Sequence, residues 1–122
     1  MDTTTGLPAA RAKLMSLLEV LQGEQGIPLS RIVLGGFSQG SMLTTDVALR
    51  LPEPPAALCV WSGTLLCEDE WRQQAQEAQS RGSLRVLQSH GYDDPILPFE
   101  AAKWLRDLLE SSGSAIDFRP ER

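Results

Sequence analysis

The sequence is short of the residues that build metal centres and disulfide frameworks. It has one histidine, His90, and two cysteines, Cys59 and Cys67, in 122 residues. The cysteines have no metal-ligand spacing, and Cys59 stands in an apolar run, where a thiol packs as a small hydrophobe. No stretch approaches the ~18 consecutive apolar residues of a membrane span. The opening Met1-Asp2-Thr3-Thr4-Thr5 is polar and acidic, unlike a signal peptide. Positive charge is in the minority, 11 Lys and Arg against 16 Asp and Glu, for a net charge of −5 at pH 7. That balance argues against nucleic acid and anionic membrane surfaces as partners, since both select basic patches. There are no repeats, low-complexity tracts or internal linkers. These exclusions point to a cytoplasmic protein of one domain, residues 1–122, large enough for a core but small for a catalytic α/β domain.

What is present centres on Gly36-Phe37-Ser38-Gln39-Gly40, directly after the apolar run Ile32-Val33-Leu34. The run predicts a buried parallel strand and the residues after Gly40 a helix. Strand, Gly-x-Ser-x-Gly and helix form the pattern of a nucleophile elbow, in which the serine hydroxyl stands clear at the carboxyl end of a sheet. The flanking glycines are expected where neighbouring backbone leaves no room for a Cβ. The N–H of Gln39 is expected to face the place where an oxyanion would form. A chance match arises in roughly one chain in 25 of this length, so a tight turn without chemistry is the competing reading of the motif alone.

Elsewhere, apolar periodicity and breakers alternate. Leu14, Leu17, Leu18 and Leu21 predict an amphipathic helix over 7–23. A strand is expected over 31–35 and a helix over 39–51, with Met42, Leu43, Val47 and Leu49 inward and Pro52, Pro54 and Pro55 stopping it. A second strand follows over 56–61, a Gln- and Glu-rich helix over 68–80, and a third strand over 84–87. A helix over 98–111 and a short strand over 115–118 complete the pattern. Strict alternation predicts an α/β fold of about four mainly parallel strands with helices on both faces. Trp61 is expected in the strand and core, and Trp71 and Trp104 as packing anchors. The glycine spacing lacks the phosphate loops that a flavodoxin-like nucleotide binder needs.

In open parallel sheets function gathers at the carboxyl ends of strands. Here one strand ends at Ser38 and another at His90-Gly91-Tyr92-Asp93-Asp94-Pro95. A serine nucleophile needs a base, and the base a carboxylate to orient it. Gly35-Gly36-Phe37-Ser38-Gln39-Gly40, Trp61-Ser62-Gly63 and His90-Gly91-Tyr92-Asp93-Asp94-Pro95-Ile96-Leu97-Pro98-Phe99 occur in the order and spacing of the phospholipase/carboxylesterase family of α/β-hydrolases. The chain resembles that family, which includes acyl-protein thioesterases and small bacterial carboxylesterases, from about residue 7 onward.

The resemblance implies a serine hydrolase of carboxylic esters that works through an acyl-Ser38 intermediate, without metal or organic cofactor. Ser38 matches the nucleophile, Gln39 the backbone oxyanion donor and Asp94 the triad carboxylate, with Asp93 either its rival or a turn former. Leu65 and Leu66 are candidate contributors to an acyl groove, or ordinary loop-packing residues. The partner implied is a small-molecule ester or acyl substrate. His90 matches a strand-end histidine of the family rather than its triad base. The family's base follows the last strand, where this sequence reads Arg119-Pro120-Glu121-Arg122, and its second oxyanion loop follows a strand earlier than any here. The chain is therefore expected to represent a central and C-terminal part of such an esterase, weak or inactive alone. The alternative is a non-catalytic remnant or interaction domain that keeps the fold. The outer side of Ile32-Val33-Leu34 is expected to be a bare edge prone to self-association.

Overall fold

Strand and helix alternate along the chain because apolar runs bounded by Pro and Gly alternate with segments of helical period. The computed structural model describes residues 6–63, 68–94 and 99–121. Helix α1 (Leu7–Gly23) leads through a short 3₁₀ turn (Leu29–Arg31) to β1 (Val33–Phe37) and α2 (Gln39–Ala48). Then come β2 (Ala57–Trp61), α3 (Glu68–Ala78), β3 (Arg85–Gly91), α4 (Phe99–Ser111) and β4 (Ala115–Glu121). The four strands form one parallel sheet in the order β1-β2-β3-β4. The expected elements are all found, with shifted ends. Strand β1 starts later than expected because Leu29-Ser30-Arg31 turns first and buries Leu29. It runs on to Phe37 because Gly36 and Phe37 pair with Val60 and Trp61 of β2. Strands β3 and β4 are longer than expected because they pair in register from Arg85–Ala115 to Gly91–Glu121.

Burial alternates along the strands, as the pleat demands. Leu34, Leu58, Val60 and Val86 point into a core completed by Leu18, Met42, Val47, Trp71, Leu105 and Leu109 from the helices. Helix α1 packs on α2, α2 on β1 and β2, α4 on β3 and β4, and α3 on α4. The helices therefore form one layer, and the expectation of helices on both faces is met on one face only. The reason is topological: successive neighbouring strands joined by right-handed crossovers put every crossover on the same side. Among the described residues the opposite face is open, and it carries Val33, Phe37 and Trp61 exposed. Trp61 thus belongs to the strand but not to the core. Trp71 is an anchor as expected, whereas Trp104 is 59% exposed because it lies outside the Ala102, Leu105, Leu108 and Leu109 face of α4. Leu17 likewise turns to solvent while Leu18 is buried.

One polar cluster ties the helices together. Asp46 on α2 is fully buried and accepts Arg11 Nε of α1 at 2.5 Å and Trp71 Nε1 of α3 at 2.9 Å. Arg50 approaches the same carboxylate at 3.4 Å and also binds Glu70 of α3. Burial works against the Arg50 charge, but the Glu70 hydrogen bond and the Asp46 carboxylate outweigh it and hold its pKa above the ordinary value.

Candidate active site

The turn between β1 and α2 is held by backbone on every side. Ser38 has φ 57° and ψ −119°, a conformation that L-residues avoid, and it caps α2. Its N–H donates to Trp61 O at 2.8 Å, and its carbonyl accepts Ser41 N at 3.0 Å and Met42 N at 3.2 Å. The Ser41 hydroxyl donates to the same carbonyl at 2.6 Å. The conformation is possible because position 36 is glycine. A Cβ there would overlap the Gly40 carbonyl and stand 2.6 Å from Ser41 N. Gly40 is different: a Cβ at that position meets nothing within 4 Å. The expectation that both flanking glycines are sterically required therefore holds for Gly36 and fails for Gly40, which lies exposed in the first turn of α2.

The geometry is that of a strained strand-to-helix turn. Ser38 is half-buried at the carboxyl end of β1, and Gln39 begins α2. The Gln39 N–H belongs to the first turn of a helix, where N–H groups have no intrahelical acceptor. Ser62 repeats the strained pattern one strand over, with φ 55° directly after β2 and its N–H donating to Ser89 O at 2.8 Å. Gly63 follows because a Cβ there would stand 2.5 Å from Ser41 Oγ and from Val60 Cγ1.

The second candidate stretch follows β3, two strands from Ser38 and at the same carboxyl-terminal edge of the sheet. Asp93 is exposed, whereas Asp94 is partly buried, with its N–H to Gly91 O at 3.4 Å. His90 occupies the penultimate position of β3 and is buried, with Nε2 3.7 Å from Asp94 Oδ2 and its ring 6.2 Å from that of Phe99. Phe99 in turn contacts Tyr92 and Phe118 at ring distances of 4.7 and 5.9 Å. Leu65 and Leu66 lie outside the described residues. Among the described residues no group of three or more His, Cys, Asp or Glu side chains is placed to hold a metal ion. No helix among them is long and apolar enough to cross a membrane.

Sequence reasoning passed over Ser41. It singled out Trp61-Ser62-Gly63 as a motif but gave no reason for the positive φ of Ser62.

A parallel sheet with a strained serine between its edge strand and the following helix defines an α/β-hydrolase fold. Esterase PE8 superposes with a TM-score of 0.86 over 98% of this chain and 53% of its own, at 25% identity. The Arabidopsis thaliana protein SOBER1 gives 0.80 over 99% and 56%, and its 24% identity speaks for the fold alone. The sequence profile of the family described as phospholipase/carboxylesterase matches residues 2–120. The chain belongs to that family. Among curated relatives, acyl-protein thioesterase 1 of Eremothecium gossypii is 36% identical over 91 residues, which are 75% of this chain and 37% of that protein. Acyl-protein thioesterase 1 of Gibberella zeae is 28% identical over 112 residues, 92% of this chain and 47% of that protein. The chain thus spans less than half the length of these two curated relatives.

Proposed function

We propose that the chain carries the nucleophile of a serine hydrolase acting on carboxylic esters or acyl thioesters. The strained backbone of Ser38, at φ 57° and ψ −119° on a strand-to-helix junction, carries this reading. Ser38 Oγ attacks the acyl carbonyl, the Gln39 N–H stabilises the oxyanion, the alcohol or thiol leaves with the serine proton, and water then hydrolyses the Ser38 ester to free the carboxylic acid and restore the hydroxyl. Asp94 is the carboxylate that orients the base. The thioesterase names of the curated relatives favour an acyl thioester among the substrates.

On this reading the 122 residues alone turn over slowly, because His90 is the only histidine and sits buried at the end of β3. Loss of a triad base typically removes a factor on the order of 10⁴ to 10⁶ in turnover. The test is hydrolysis of p-nitrophenyl butyrate by the chain, Ser38→Ala and His90→Ala, with circular dichroism on each sample. Turnover near background in a folded chain, lowered further by Ser38→Ala but not by His90→Ala, is the expected result. Turnover equal in the chain and Ser38→Ala would remove Ser38 from the reaction and leave a non-catalytic remnant of the fold. Turnover abolished by both substitutions would make His90 the base.

The position of β1 at the sheet edge, beside an open face bearing Val33 and Phe37, supports self-association of the isolated chain. A single monomer peak in size-exclusion chromatography with cooperative melting would refute that part.

A further inference from the structure

We propose that Ser41 is a positioning residue for the oxyanion donor, an inference that rests on the reading of Ser38 and Gln39 given above. The Ser38 carbonyl and the Gln39 N–H belong to one planar trans peptide, so they point in opposite directions and turn together. Whatever fixes the carbonyl aims the N–H. The Ser41 and Met42 N–H groups bond to this carbonyl as in the first turn of any helix. The Ser41 hydroxyl is an additional donor, and at 2.6 Å it makes the shortest of the three contacts.

Ser41 is itself held firmly. Its side chain is fully buried and abuts Gly63, where a Cβ would come within 2.5 Å of Ser41 Oγ. Its own carbonyl accepts Thr45 Oγ1 at 2.8 Å and Thr44 Oγ1 at 3.1 Å. The side chain is thus enclosed on the Gly63 side, and its backbone is tied to the second turn of α2. The contact does two things. It resists rotation of the 38–39 peptide out of its strained orientation. It also polarises that peptide, since a hydrogen bond to a carbonyl strengthens the donor on the same amide, by roughly 10–30%. Gln39 N–H becomes a better-aimed and stronger donor through a side chain that touches neither substrate nor reacting atoms.

The test uses a probe that needs no catalytic base. Butylboronic acid adds the Ser38 oxygen, releases one proton to solvent and becomes a tetrahedral anion with an oxygen at the oxyanion position. Its dissociation constant is measured for the chain, Ser38→Ala, Ser41→Ala and Ser41→Thr. The ¹³C shift of the Ser38 carbonyl and the ¹⁵N shift of Gln39 are recorded alongside. Ser41→Ala is expected to bind about tenfold more weakly and to move both resonances, while Ser41→Thr, which keeps the hydroxyl, stays within about twofold. Unchanged affinity in Ser41→Ala overturns the role of Ser41, and so does equal weakening in both Ser41 variants. Binding no tighter in the chain than in Ser38→Ala overturns instead the reading of the Ser38 site on which this role rests. If Ser41→Ala does not fold, Ser41→Cys, with its weak S–H donor, replaces it in the same comparison.

Discussion

Replacing Asp46 by alanine should cost the fold about 3 kcal/mol, far more than an average substitution. The carboxylate is fully buried and is the shared acceptor for Arg11 of α1, Arg50 just beyond α2 and the Trp71 indole of α3. Its removal leaves two guanidinium groups with reduced compensation and a buried N–H without its acceptor. Removing one partner of a buried ion pair typically costs about 3–5 kcal/mol. The lower end applies because Arg11 and Arg50 keep 21% and 16% of their side chains in water, and Glu70 remains to share their charge. Asp46→Asn keeps an acceptor for Trp71 and loses only the charge, so about 1–2 kcal/mol is expected. Urea unfolding followed by circular dichroism measures both values, and melting should fall by about 10 °C for the alanine variant. A loss below about 1 kcal/mol for Asp46→Ala would refute the view that this cluster joins α1, α2 and α3. Equal losses for Asn and Ala would show that the charge, and not the geometry of acceptance, carries the effect.

The elbow glycines should separate cleanly. Gly36→Ala forces a Cβ into the Gly40 carbonyl and should unfold or strongly destabilise the chain, whereas Gly40→Ala meets open space and should gain up to about 1 kcal/mol from helix propensity. Thermal melts of the two variants decide. Val33→Lys, on the edge strand, should raise the monomer fraction in sedimentation velocity without lowering the melting temperature. The Arg119 hydrogen bond, aided by its charge, holds the Asp117 pKa below the ordinary carboxylate value. A folded-state pKa below the unfolded one favours the fold above the unfolded value and loses that contribution as pH falls through the folded value. NMR titration of the Asp117 carboxyl should find the lowered midpoint, and Arg119→Gln should return it upward; because both side chains are exposed, the melting temperature should barely respond.

The element order was legible from sequence because each signal is local. Helical spacing gave α1 and α4, proline runs ended α2, and apolar runs marked the strands. Strand ends were less legible because pairing decides them: β3 and β4 extend as far as each other permits. The tight turn at Ser38 was legible because Gly36 is required by a backbone contact only four residues away. Ser41 was not, because its contribution is a hydroxyl aimed at a carbonyl, and a serine in the first turn of a helix carries no such label. Asp46 and its partners were missed for a related reason: Arg11, Arg50 and Trp71 are distant in sequence and meet only once the helices pack.

The two faces of the sheet explain the remaining misreadings. Ala56-Ala57-Leu58-Cys59-Val60-Trp61 is apolar at every position, the pattern of a parallel strand covered on both sides. In the structure Leu58 and Val60 meet that expectation, while Trp61 stands exposed on the opposite face and Cys59 is only partly buried. Gly35 shows how that face is used: a Cβ there would stand 3.1 Å from the Trp61 ring, so the indole lies across the strand beside it. The same face carries Val33 and Phe37, at 59% and 71% exposure. Chance exposure of single apolar residues is common, but these three stand on neighbouring paired strands, with Phe37 and Trp61 in register. The residue pattern is thus that of a sheet with two covering layers, and the described residues supply one. Reading both faces as helical followed correctly from the strands; the error lay in assigning all the cover to α1–α4, which the sequential strand order confines to one side.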